Sequence, residues 1–188
     1  AANWDTGVVP DDVGAIANFT SNIAANLTIT LSDTDSSITN GTVIIGDASH
    51  GFRFAFVPAN NTQWVFDDTD GLAEIVVTDA SNTSGRNHQI WAPLRLDDDL
   101  LFDLRQANTF NRAFRVTNTV AEGTAGRNIT KTGTGILAIE NNWQHTGNTI
   151  IEGGTLAIGR ALGQLSATTN VIVQRGGTLL LANGTNWG

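Results

Sequence analysis

Two segments near the end of the chain are near copies of one another. NTIIEGGTLAI (148–158) aligns with NVIVQRGGTLLL (170–181) once a single residue is inserted. Each starts on Asn, runs through three mostly β-branched residues, takes a short polar step and reaches Gly-Gly-Thr-Leu with an apolar pair. Thr155 to Thr178 is 23 positions, and GILAIE (135–140) repeats the strand type of GTLAIG (154–159), with 19 positions from Ile136 to Thr155. A unit of about 20 residues that alternates strand, Gly/Asn turn and strand has the size of one rung of a β-helix. Glycine and asparagine suit its corners because both tolerate left-handed backbone angles.

The rest of the chain reads as strand with hardly any helix. β-Branched or alternating runs recur at AIANF (15–19), NLTITL (26–31), GTVIIG (41–46), FRFAFV (52–57), TQWVF (62–66), AEIVVT (73–78), HQIWAPLRL (88–96), LLFDL (100–104) and FRVTNTV (114–120). Clusters of Asp, Asn, Gly and Ser such as SDTDSS, DDTDG and SNTSG separate them. Such frequent punctuation indicates an all-β fold. GRALGQLSA (159–167) is the one moderately helical stretch. Residues 126–188 carry the clearest rungs and 1–125 a more irregular β-rich part of the same domain. A β-sandwich over the N-terminal half, followed by solenoid rungs, is the alternative architecture.

KTGTGILAIENNWQHTGNTIIEGGTLAIG (131–159) resembles the autotransporter-associated β-strand repeat of secreted bacterial passenger proteins. The pattern is matched at Lys131, Thr132, Gly133, Gly135, Leu137, Ile139, Thr146, Gly147, Thr149, Ile151, Gly154, Thr155 and Leu156. It departs from the pattern at Trp143, where Asn is usual, and at Asn148, where a second glycine is usual. ANWDTGVVPDDVGAIANF (2–19) is similar to the segment that often begins such units. The resemblance implies a right-handed parallel β-helix, exported to the cell surface or medium, with structural or adhesive roles and no enzyme chemistry or cofactor of its own.

Composition excludes several function classes. The net charge is −8, with 10 basic and 18 acidic side chains, and the arginines are scattered among acids. Nucleic-acid binding needs clustered basic groups to release counterions. Cysteine is absent, which removes disulfides, thiolate metal sites and thiol nucleophiles and is compatible with export through an oxidising compartment. There is no apolar run long enough for a membrane helix. Ala1 is followed at once by polar residues, so an export signal is expected outside these residues.

Few motifs point to chemistry. GTGIL and EGGTL lack the following helix that a phosphate-cradling loop requires, so their glycines read as corners. His50, His88 and His145 are too far apart for a zinc motif. Asp33 and Asp35, then Asp67, Asp68 and Asp70, then Asp97, Asp98 and Asp99 sit in expected turns and are weak calcium candidates, because no Glu completes a twelve-residue loop. Asp97 and Asp99, two apart, would face one side if they stood on a strand, which raises the alternative of a polysaccharide-cleaving module. Trp4, Trp64, Trp91, Trp143 and Trp187 raise that of a sugar-stacking platform, although such rings also fill interiors. Seven Asn-x-Ser/Thr sequons occur, at Asn18, Asn26, Asn40, Asn60, Asn82, Asn128 and Asn183.

A solenoid ends in open strand edges and an apolar cross-section that need covering. The sequence offers no amphipathic helix for this, and GGTLLL (176–181) is strongly apolar. The expected interface is therefore Trp4, Ala15, Ile16 and Phe19 at one end and Leu179, Leu180, Leu181 and Trp187 at the other. Its partners are a second copy stacked head to tail or adjacent rungs of a longer chain, with surface polysaccharide as a further candidate.

Overall fold

In several strands large apolar residues alternate with smaller or polar ones, and the period of two turns the apolar set toward one shared interior. In DLLFDL (99–104), Leu100, Phe102 and Leu104 are buried while Asp99, Leu101 and Asp103 are partly exposed. The computed structural model describes residues 9–21, 23–32, 36–46, 52–78, 87–105, 113–159 and 163–181.

The strands come in threes. β1 (Ile16–Phe19), β2 (Leu27–Leu31) and β3 (Ser37–Asn40) make the first turn, followed by β4 (Thr42–Ile45), β5 (Phe54–Pro58) and β6 (Gln63–Phe66). The third and fourth turns are β7 (Leu72–Val77), β8 (Gln89–Ile90) and β9 (Leu94–Leu96), then β10 (Asp99–Leu104), β11 (Phe114–Val116) and β12 (Val120–Glu122). The fifth and sixth are β13 (Ile129–Thr132), β14 (Ile136–Ile139) and β15 (Asn142–Trp143), then β16 (Thr149–Ile151), β17 (Gly154–Ile158) and β18 (Gln164–Leu165). β19 (Val171–Val173) and β20 (Gly177–Leu181) begin a seventh.

Every third strand pairs in parallel, giving two seven-stranded sheets and one six-stranded sheet. Sheet A runs from β1 to β19, sheet B from β2 to β20 and sheet C from β3 to β18. The molecule is an all-β parallel solenoid, with no helix among the described residues. The sandwich alternative for the N-terminal half fails. Consecutive strands there already lie in different sheets, and each pairs with its equivalent one turn on. The helical expectation over 159–167 fails where it can be tested, because Leu165 in β18 stacks on Trp143 of β15 in the sheet C register.

The repeat alignment matches the register residue by residue: Ile136 pairs with Thr155, and Thr155 with Thr178. Turn length is uneven, however. Leu137 to Leu156 is 19 positions, whereas Ala55 to Gln89 is 34. The extra positions fall between sheet A and sheet B strands: β7 ends at Val77 and β8 begins at Gln89, whereas only Glu152 and Gly153 separate β16 from β17. The short corners depend on glycine. Gly133 has φ +73° and Gly154 φ +64°, and a Cβ on either would meet a backbone oxygen of a stacked corner at 2.3–2.4 Å.

Inward side chains stack in columns. In sheet C the column is Ile38, Trp64, Leu94, Val120, Trp143 and Leu165. In sheet A it is Ala17, Val43, Ile75, Phe102, Lys131, Ile151 and Val173. Aromatic rings thicken the interior, with Phe56 against Trp64 (5.0 Å) and Phe102 stacked on Trp143 (5.9 Å).

Candidate assembly interface

The inward columns are buried along the shaft and lose that burial at both ends. Ile151 is fully buried, but its partner one turn on, Val173, is 47 % exposed. Ile139 is fully buried, but Leu181, two steps along the same column, is 71 % exposed. At the other end Phe54 is buried while its partner Leu27 is 44 % exposed. The first turn opens into an apolar hollow of about 620 Å³, lined by Phe19, Ile29, Leu31, Ile38, Phe54 and Trp64 among others.

Of the expected interface residues, Ile16 lies on the exposed flank of β1 and Ala15 accepts the Gly41 and Thr42 amides of the second turn. Phe19 packs into the hollow against Phe54 and Phe56. Leu179 packs against the core, and Leu181 extends past it. Leu180 faces the other side of its sheet, against a separate cluster of Ala113, Ile136, Ala138 and Ala157. Trp4 and Trp187 lie outside the described residues.

One element at this end was not anticipated from sequence. The segment Pro10–Asp12 lies along the free edge of β3. The Thr39 amide donates to Asp11 Oδ1 (2.6 Å), the Asp12 amide donates to the Thr39 carbonyl (3.0 Å), and Asn40 Nδ2 donates to the Pro10 carbonyl (2.9 Å). Asn40 is buried and its Oδ1 accepts from Trp64 Nε1 (2.8 Å), which ties the strap to the core. Pro10, Asp11 and Asp12 are all poor strand formers, so nothing in the sequence marks them as an edge cover.

The acidic turns are engaged locally. Asp97 forms a two-pronged pair with Arg95 (2.9 and 2.5 Å). Asp98 accepts the Asp68 amide (2.8 Å) and faces Arg127 at 3.6 Å. Burial, a hydrogen bond to Asp98 and the charges of Asp98 and Asp97 push the Asp67 carboxyl up, against the pull of Arg127. Asp70 closes a turn on Asp68. Asp99 does not act with Asp97: both of its oxygens accept from Asn128, at 2.9 Å each. No three of these side chains form a metal-binding group among the described residues. Asp33 and Asp35 lie outside them.

Asp99 instead heads a polar ladder. Asn128 Oδ1 accepts the Asn148 amide (2.9 Å), and Asn148 Oδ1 accepts from Asn170 Nδ2 (2.9 Å). Its sequence signal is an Asn immediately before each of three sheet A strands.

The remaining candidates belong to the interior. His88 Nδ1 accepts the Phe54 amide (3.0 Å), and the fully buried His145 bonds Thr149 Oγ1 through Nε2 (2.9 Å). His50 lies outside the described residues. Trp64 and Trp143 are buried, and only Trp91 among the described tryptophans is exposed, its Nε1 held by Gln89. Among the sequons, Asn40 is buried and Asn128 is committed to the ladder.

The chain was compared with family models, curated proteins and solved structures, and none matches.

Proposed function

We propose that the protein is a non-enzymatic structural module, a β-solenoid shaft segment that stacks end to end, working outside the cell as the repeat resemblance implies. The observation that carries this reading is the loss of burial at both ends of the inward columns, at Leu27 and at Val173 and Leu181. Side chains that are core elsewhere in the same column face water only there. Stacking would bury them and supply partners for strand edges.

Two copies joined this way meet through different surfaces, a heterologous contact that propagates into a filament instead of closing. The absence of cysteine fits a chain that crosses an oxidising compartment. Sedimentation over a concentration series and negative-stain images test the reading. Rods that lengthen with concentration, and their loss in Leu181→Asp with the melting temperature kept, are the expected results. A monomer at every concentration overturns it.

A further inference from the structure

Inside the fifth turn two ring nitrogens are buried without a hydrogen-bond partner among the described residues, Nε1 of Trp143 and Nδ1 of His145. Both side chains are fully buried while Gln144 between them is exposed, so the two rings turn inward together. They meet edge to face, with centroids 6.2 Å apart and planes at 69°. In its column Trp143 has Val120 of the fourth turn on one side and Leu165 of the sixth on the other. Protein interiors leave few polar atoms unpaired, and those that lack a protein partner commonly bond an interior water.

The two nitrogens are complementary. An indole N–H can only donate. The bonds around His145 make its Nδ1 an acceptor. Thr168 Oγ1 donates to the Gly147 carbonyl (2.8 Å), so in its contact with Thr149 Oγ1 (3.2 Å) it accepts and Thr149 gives the proton. Thr149 Oγ1 therefore receives its own bond from His145 Nε2–H (2.9 Å). Burial pushes the imidazole down to about 4, with Glu122 opposing, so near neutral pH the ring holds one proton, on Nε2, and Nδ1 is bare. We propose that one water molecule is bound between the two rings, accepting from Trp143 Nε1–H and donating to His145 Nδ1. A cation here would face the indole N–H and an anion the bare lone pair, so the ligand that fits is a neutral group able to accept and donate at once. The water completes a one-way chain from Trp143 through His145, Thr149 and Thr168 to the Gly147 carbonyl, joining the fifth turn to the sixth.

Magic-angle-spinning NMR on nitrogen-15-labelled protein tests this, because it reads sedimented monomer and assembled rods alike. The expected results are a cross-peak from bound water at the Trp143 indole proton, and a His145 ring protonated at Nε2 with Nδ1 bare. Trp143→Phe keeps most of the packing and removes the donor. The His145 Nδ1 resonance should then move downfield, toward that of an imidazole nitrogen without a hydrogen bond. Trp91→Phe, which changes an exposed tryptophan, should leave it in place. A Trp143 indole proton without a water cross-peak, or a His145 proton on Nδ1, overturns the inference. So does an unmoved Nδ1 resonance in a folded Trp143→Phe chain. If that variant does not fold, the two readings on unsubstituted protein decide alone. The site lies within one copy, so none of these outcomes bears on end-to-end stacking.

Discussion

Lys131 Nζ donates to the carbonyl oxygen of Gly153, 3.0 Å away and one turn further along the solenoid. The same ammonium reaches the carbonyls of Thr132 and Gly133, at 2.5 and 3.0 Å. This is the only lysine in the chain, and it stands in an inward column between Phe102 and Ile151. Itself buried, it satisfies the carbonyls of two stacked corners at once.

Two effects follow for Lys131→Met. Corner carbonyls lose a buried donor, so stability at pH 7 should fall by about 1–3 kcal/mol in denaturant titrations. Burial pushes the ammonium down to about 8, with Asp103 pulling it back up. Above that pH the folded chain gives up a proton that the unfolded chain keeps until about 10.4, so unmodified protein should gain stability across this window. The methionine variant should lack the gain. A rise of the same size in both proteins would contradict the assignment.

His145 gives the opposite end of the pH range. Burial pushes its imidazole down to about 4, with Glu122 opposing, and its Nδ1 has no hydrogen-bond partner. Between about pH 6.5 and 4 the unfolded chain takes up a proton that the folded chain refuses, so stability falls with pH through that window, by an amount on the order of 3 kcal/mol. His145→Gln should flatten this part of the profile. Melting curves at half-unit pH steps would show it, and an unchanged slope in the variant would assign the loss to other groups.

The corner glycines separate strain from crowding. Gly154→Ala combines positive φ with a Cβ at 2.4 Å from the Gly135 carbonyl oxygen, so a loss of about 3 kcal/mol or more is expected. Gly126→Ala has φ +96° but open space around the added carbon, and should cost only about 1 kcal/mol. Equal losses at the two positions would show that stacking distance does not limit the corner.

The polar ladder predicts unequal truncations. Asn128→Ala removes the bond to Asp99 and the acceptor of the Asn148 amide, whereas Asn148→Ala removes only the acceptor for Asn170. Losses of about 2 and about 1 kcal/mol are expected in that order. Hydrogen exchange at the Asn148 amide should quicken in Asn128→Ala alone, and unchanged exchange would remove Asn128 from the ladder.

Sheets A and B were legible in the sequence, and sheet C was largely not. β3 is not among the expected strands, β8 and β9 read as one strand, as did β11 and the first residue of β12, and β18 read as part of a helical stretch. Sheet C strands are only two to four residues long. A period of two cannot show itself over Asn142–Trp143, and such a strand exists only because the turns above and below hold it.

The sequence alone determined the repeating unit, its glycine corners and the pairing of Ile136, Thr155 and Thr178. These depend on local periodicity and on backbone angles that few residues adopt. Only the tertiary structure decided that Lys131 and His145 face inward, that Asp97 and Asp99 serve different partners, and that the Pro10–Asp12 strap covers β3. Each of these joins residues about 20 to 30 positions apart or turns a polar side chain inward, and no local pattern records which turn lies beside which.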